Sequence, residues 1–234
     1  YYGAVADYTK AIEINPNFAS AYQNRGNNKG DLKDYYGAID DYNKAIEIDP
    51  NKASAYQDRG NAKWNLKDYY GAIDDYNKAI EINPNNALVY YYRGHAKADL
   101  KDYNGAIADM TKAIEIDPNH DFIYENRGIV KDDLEDYYGA IDDYNKAIEI
   151  NPNNALVYYY RGNAKTDLKD YYGAIADMTK YIEIDPSSPA PYIMMALNKY
   201  KIGDVSGACS DWIKSIKLGN QDEKIAGLVR EVCN

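Results

Sequence analysis

Two histidines, two cysteines and a recurring set of adjacent aspartates are the side chains of this 234-residue chain whose types could do chemistry. His95 and His120 lie in different elements, no Cys/His spacing suggests zinc, and no glycine-rich phosphate loop or nucleophile–base set is present. The aspartate pairs Asp40–Asp41, Asp74–Asp75 and Asp142–Asp143 have the right type for general acid–base work. Neighbours on a helix, however, point in different directions, so these pairs are poor acid–base partners. No catalytic residue, metal or cofactor is therefore expected, and the chain is read as a non-enzyme.

The aspartates belong to a 34-residue phrase, "DYYGAIDDYNKAIEI.P", running from Asp34 to Pro50, Asp68 to Pro84 and Asp136 to Pro152 with close variants elsewhere. A period of this length means stacked supersecondary units that bury their apolar faces only against neighbours. In register the chain divides into a partial repeat at 1–18 and six full repeats at 19–52, 53–86, 87–120, 121–154, 155–188 and 189–222. A capping helix is expected over 223–234. Each full repeat carries two segments with helical apolar spacing, such as Ala38, Ile39, Tyr42, Ala45 and Ile46, and none with the alternation of a strand. Asp34 and its equivalents stand where they would cap the second helix, and Pro50 and its equivalents end it. Gly26 is expected to face Ala38 and let the paired helices approach closely.

These columns resemble the tetratricopeptide repeat family: Tyr56, Gly60, Ala72, Tyr76, Ala79 and Pro84 match its aromatic, small, alanine, aromatic, alanine and proline positions, and the other full repeats follow. The Asn-Arg-Gly or Tyr-Arg-Gly string is similar to an abundant subclass, of bacterial type. The resemblance implies an all-α, right-handed superhelical solenoid of antiparallel helix pairs whose first helices line a concave groove. It implies a scaffold for a peptide or protein partner.

The chain departs from the family where leucine is usual, placing Arg25, Arg59, Arg93, Arg127 and Arg161 there. A charge near the core needs a partner. Asp41, Asp75, Asp109, Asp143 and Asp177 supply one per repeat, in an Arg–Asp ladder of structural ion pairs. Arg59 would pair with Asp75 of its own repeat or with Asp41 of the one before; solvated charges are the plainer alternative.

Net charge is −10, no apolar run approaches a membrane span, and lysines and arginines are scattered singly among more numerous acids. Nucleic acid is therefore not an expected partner. On the face implied to line the groove, the early repeats offer Gln23, Asn27, Gln57, Asn61 and Trp64. The later ones offer Leu88, Tyr91, His95, Phe122, Ile129, Leu156, Tyr159 and Asn163. Asparagine amides could hold a peptide backbone while the apolar positions take its side chains. No lysine stands where the family's clamp for acidic C-terminal tails would need it, so a carboxylate ligand should be repelled. Residues 69–118 and 137–186 are nearly identical, so two copies of Leu-Val-Tyr-Tyr-Tyr recur two repeats apart, either as paired anchors or as an undiverged duplication.

Cys209 is placed at the opening of one helix and Cys233 at the close of the next. Antiparallel packing would bring the sulfurs together, either as a disulfide or as a reduced, buried pair. The Ala-Cys-x-Asp-Trp string with a late cysteine resembles the C-termini of bacterial envelope repeat proteins. A disulfide would favour a bacterial envelope or periplasm, and its absence the cytoplasm. Tyr1 aligns inside a repeat, so the chain reads as a fragment of a longer array. Its N-terminal face supports the alternative of a self-assembling structural solenoid, a homo-oligomer through that end.

Overall fold

A computed structural model describes residues 1–233; Asn234, at the end of the expected capping segment, lies outside the described residues. Among the described residues there are fourteen α-helices and no strands. They form two compact units, Tyr1–Pro118 and Asn119–Asn234. The first holds α1 (Tyr2–Ile14) and the pairs α2 (Ala19–Asp31) with α3 (Tyr35–Ile48), α4 (Ala53–Asn65) with α5 (Tyr69–Ile82), and α6 (Ala87–Asp99) with α7 (Tyr103–Ile116). The second holds α8 (Asp121–Asp133) with α9 (Tyr137–Ile150), α10 (Ala155–Asp167) with α11 (Tyr171–Ile184), α12 (Ala190–Lys201) with α13 (Val205–Lys217), and the last helix α14 (Glu223–Val232).

Local chemistry sets the helix ends. The side chain of Asp34 accepts a hydrogen bond from the Gly37 amide at 3.0 Å, and Asp68, Asp102, Asp136, Asp170 and Asp204 repeat the cap. The three-residue connection reverses the chain through a left-handed residue. Lys33, Lys67, Lys101, Glu135 and Lys169 hold φ between 61° and 64°, and the sixth pair uses Gly203 at 85°. The reversal makes each pair antiparallel: Lys29 near the end of α2 reaches the Gly37 carbonyl at the start of α3, while Arg25, one turn earlier, reaches Asp41, one turn later.

Gly26 stands against the second helix with the Tyr42 ring nearest to it. A Cβ there would lie 2.6 Å from the Tyr42 ring, and the same holds for Gly60 against Tyr76. At Gly26 and Gly60 the close approach is to an aromatic ring, whereas at Gly94 it is to the backbone oxygen of Ala106, the equivalent of Ala38, at 3.0 Å. Around that contact each repeat builds a small core. In the first unit Ala72, Tyr76, Ala79, Val89 and Ala96 are buried together; in the second, Ala140, Tyr144, Ala147, Val157 and Ala164 are their equivalents.

Within the first unit α2 touches α4 and α4 touches α6; within the second α8 touches α10 and α10 touches α12. Within each unit a first helix also packs on the second helix before it, as α4 does on α3 and α10 on α9. First helices are thus the ones that come side by side, and they form the inner face of each unit. At the C-terminal end Ile225 of α14 joins Ala196, Ala208 and Trp212 in a terminal cluster. Cys209, one turn inside α13 rather than at its opening, and Cys233, the C-cap of α14, are joined in a disulfide with Cα atoms 5.6 Å apart.

Candidate functional site

The charged columns form a buried scaffold. Arg59 Nε and Nη2 both donate to the Asp75 carboxylate (2.9 and 2.5 Å), and Lys63 Nζ lies 2.8 Å from the same group. The structure thus pairs Arg59 with Asp75 of its own repeat, not with Asp41. The preceding repeat contributes Asn43, whose Oδ1 accepts from Arg59 Nη1 at 2.6 Å. The guanidinium also sits 5.5 Å above the Tyr56 ring. The pattern recurs at Arg25 with Asp41 and Lys29, Arg93 with Asp109 and Lys97, Arg127 with Asp143 and Lys131, and Arg161 with Asp177 and Lys165. Each aspartate is nearly fully buried. Asp40, Asp74 and Asp142, the other halves of the aspartate pairs, are exposed, so no pair converges on a substrate. The sixth repeat has Met195 in place of arginine, and Asp211 has Lys199 at 2.7 Å; burial pushes its carboxyl above the usual range.

The lysine column escaped the sequence reading, although Lys29, Lys63 and their equivalents stand one helical turn beyond each arginine. Lysines further out are also committed, since Lys44, Lys78, Lys112, Lys146 and Lys180 each hold a glutamate three residues on. These contacts gather the basic groups within the scaffold and on the second helices. On the first helices the carboxylates outnumber what remains, with Lys52, whose Nζ donates to Ser20 at 3.3 Å, a cation acting on Asp58.

On the inner face of the first unit, Gln23, Asn27 and Asp31 stand at successive turns of α2, and Tyr91, His95 and Asp99 at successive turns of α6. Gln57, Asn61 and Asn65 do the same between them on α4. The third member of each column was missed in the sequence, though one further step of four residues would have found it. Gln23 Nε2 donates to Asp58 at 2.6 Å, and the Asn27 amide nitrogen reaches Asp58 at 3.2 Å and the Tyr42 hydroxyl at 2.8 Å. Burial raises the Asp58 carboxyl despite these two neutral donors. Asn61 Oδ1 accepts from the Tyr76 hydroxyl at 2.8 Å, and Gln57 Oε1 from Asn86 at 3.1 Å. Asn27 and Asn61, two of the amides expected to hold a peptide backbone, are therefore already engaged within the chain, whereas Asn163 Oδ1 is buried without a hydrogen-bond partner.

Two adjacent cavities open on this face and share Asn61 and Asn65. One, of about 280 Å³, is walled by Trp64 from α4, Tyr76 from α5, and Tyr91, Tyr92 and His95 from α6. The other, of about 470 Å³, is polar and holds Asp31 and Asp58 with Asn27 and Tyr42. The structure brings Asn61, Trp64, Tyr91 and His95 together around the first cavity and Asn27 with Asn61 around the second. Gln23, Gln57 and Leu88 line neither.

In the second unit, Tyr159 meets Tyr160 and Tyr181 edge-on, each at 6.2 Å, and Tyr160 stacks on Tyr144 at 6.1 Å. Glu125 accepts from Asn154 at 2.8 Å, and burial raises its carboxyl. Asp132 is raised by burial and then by the charges of Asp167 and Asp133. Asn163 and Ile129 stand beside these groups in sequence register, Leu156 is about half exposed at 49%, and Phe122 lies in the first turn of α8. Among the described residues no cluster of metal-ligating side chains occurs.

Family models described as tetratricopeptide repeat match residues 53–86, 87–120 and 155–188, and one described as TPR repeat matches 31–67 and 133–167, together more than half of the chain. The chain belongs to the tetratricopeptide repeat family. Among solved structures, YrrB, titled "a TPR protein with an unusual peptide-binding site", is 26% identical with a TM-score of 0.64, over 76% of this chain and 92% of that one. The C-terminal part of a TPR repeat-containing protein from Cytophaga hutchinsonii is 19% identical with a TM-score of 0.81, over 97% and 93%. MamA from Desulfovibrio magneticus is 22% identical with a TM-score of 0.68, over 71% and 94%. No match was found among curated proteins. Among the described residues of this tetratricopeptide repeat protein no helix is long and apolar enough to cross a membrane.

Proposed function

We propose that this tetratricopeptide repeat protein is a non-catalytic scaffold that binds a peptide or protein segment along the inner face of its first helices. The observation that carries this reading is the pair of adjoining cavities on α2, α4 and α6, where Trp64, Tyr91, His95 and Asp58, which do not recur in every repeat, converge on the repeat core. Repeat architectures make such faces available for extended ligands. The likeness to YrrB, whose title names a peptide-binding site, supports the same class of function. The Cys209–Cys233 bond supports an oxidising compartment such as a bacterial envelope.

Selection from a displayed peptide library tests the reading. Peptides enriched on the wild-type chain should be lost on a Tyr91→Ala/Tyr159→Ala variant of unchanged melting temperature. Equal enrichment on both proteins would refute the assignment of this face.

A further inference from the structure

We propose that the cavity between α4, α5 and α6 receives the guanidinium of an arginine carried by a basic peptide segment lying along the inner face. This rests on the reading of that face as a peptide-binding surface and names the chemistry of the occupant.

The walls decide the ligand class. Trp64 and His95 meet edge-on at 5.2 Å, Tyr91 and Tyr92 lie tilted to one another at 5.4 Å, and Tyr92 stacks on Tyr76 at 6.2 Å. Rings grouped in this way offer negative π faces to a cation, and the flat, weakly hydrated guanidinium suits them better than a compact ammonium. Trp64 Nε1 donates to Asp99 Oδ2 at 2.7 Å, which fixes the indole and holds a carboxylate behind two of the lining rings. His95 Nδ1, 3.6 Å from the same carboxylate, has no hydrogen-bond partner. Asn65 Nδ2 is used on the Asn61 carbonyl, which leaves Asn65 Oδ1 as an acceptor for the guanidinium N–H groups.

Charge points the same way. The adjoining cavity carries Asp31 and Asp58, neither of which forms an ion pair among the described residues, while the arginines and lysines of the ladder are held on Asp41, Asp75 and Asp109. A second basic side chain of the same segment would find these two carboxylates next door.

The test uses the full chain and the peptide Gly-Ser-Arg-Gly-Arg-Gly-Ser, its citrulline counterpart of the same shape without charge, and free arginine amide. The chain has two tryptophans. The indole N–H resonance of Trp64 reports on the cavity, and that of Trp212, buried in the terminal cluster, serves as the internal control. The arginine peptide should shift Trp64 and leave Trp212, bind at least about tenfold more tightly than the citrulline peptide, and weaken as salt rises. Tyr91→Leu should weaken it about fivefold with the melting temperature unchanged. Equal binding of the citrulline peptide would overturn the cation site while leaving the peptide-binding face standing. Shifts elsewhere on the inner face without Trp64 would do the same. Arginine amide binding as tightly as the peptide would overturn the peptide as the source of the cation, and no binding by any of the three would overturn the inference itself.

Discussion

Arg59→Leu restores the residue usual in the family and is expected to destabilise this member of it. The substitution removes two hydrogen bonds to a carboxylate only 3% exposed, each of the charge-assisted kind worth about 1.5–3 kcal/mol. Against that loss stands the burial of leucine, about 2 kcal/mol, and the desolvation that arginine no longer bears. Lys63 stays 2.8 Å from Asp75, so the carboxylate is not stranded. The net expectation is a loss of about 2–3 kcal/mol, below the 3–5 typical of a broken buried pair because one cation remains. Lys63→Met alone should cost about 1 kcal/mol. The double variant strands Asp75 and should cost more than the sum by about 1–2 kcal/mol, the sign of coupling through one shared group. Adding Asp75→Leu should recover most of the loss.

Urea titration with hydrogen exchange on α4 and α5 measures this locally, as a repeat array calls for. The melting temperature should fall by about 5–10 °C for Arg59→Leu. Raising the salt to about 0.5 M should change that difference little, because the buried groups are weakly screened. An unchanged or raised melting point for Arg59→Leu would refute the ladder as a source of stability. Strict additivity of Arg59→Leu and Lys63→Met would refute the shared carboxylate.

Three further outcomes follow from single contacts. Burial holds the Asp58 carboxyl above its ordinary value, so the folded state binds a proton that the unfolded chain gives up, and stability falls as pH rises through the folded value. Asp58→Asn should therefore raise the urea midpoint at pH 7, with the gain shrinking toward pH 4; a lower midpoint at pH 7 would refute the direction. Gly60→Ala gains about 1 kcal/mol of helix propensity but drives a Cβ to 2.6 Å from the buried Tyr76 ring, so a net loss of about 1–2 kcal/mol is expected in denaturant titration. The disulfide closes a loop across a separation of 24 residues, and Cys233→Ser should cost about 3 kcal/mol, confined to the terminal cluster of Trp212 and Ile225 and read as lost exchange protection in α14.

The helices were legible because period, cap and stop repeat in register: Asp34 and Gly37 recur six times, Pro50 and its equivalents close five of those helices, and the caps are all made. The ring against Gly26 was not legible. Spacing alone gives a helix a face but not the ring that rotates under it, and the Tyr42 ring comes nearest to the space a Cβ would take. The choice between Asp75 and Asp41 for Arg59 was undecidable for a related reason, since one period separates the two candidates and every repeat presents both. The inner-face amides were seen as free hydrogen-bonding groups because a column shows which residues align but not which touch. Asn27 on Asp58 and Asn61 on Tyr76 are contacts between columns. The Asp31 and Asp99 positions were within reach, one turn past Asn27 and His95.

The electrostatics of the inner face follow from the ladder. A buried aspartate in every repeat is tolerable only with cations beside it, and the repeat supplies two, an arginine and a lysine one turn apart on the first helix. Both turn from the inner face toward the paired second helix, because that is where the aspartate is. A duplication that copies the repeat copies this orientation, so each added repeat adds cations to the scaffold and none to the inner face. Asp31 and Asp99 stand in a column that most repeats keep acidic, with Asn65 between them, and together with the non-repeating Asp58 they set the sign of that face in the first unit. Neutralising the scaffold cannot relieve that charge without unfolding the repeat, whereas a basic partner can. Asp58→Asn separates the two effects: the same variant that is expected to fold more stably at pH 7 should bind the arginine peptide more weakly, by about three- to fivefold for the loss of one half-screened charge. Gain in stability with no loss of binding would place the peptide's charge elsewhere.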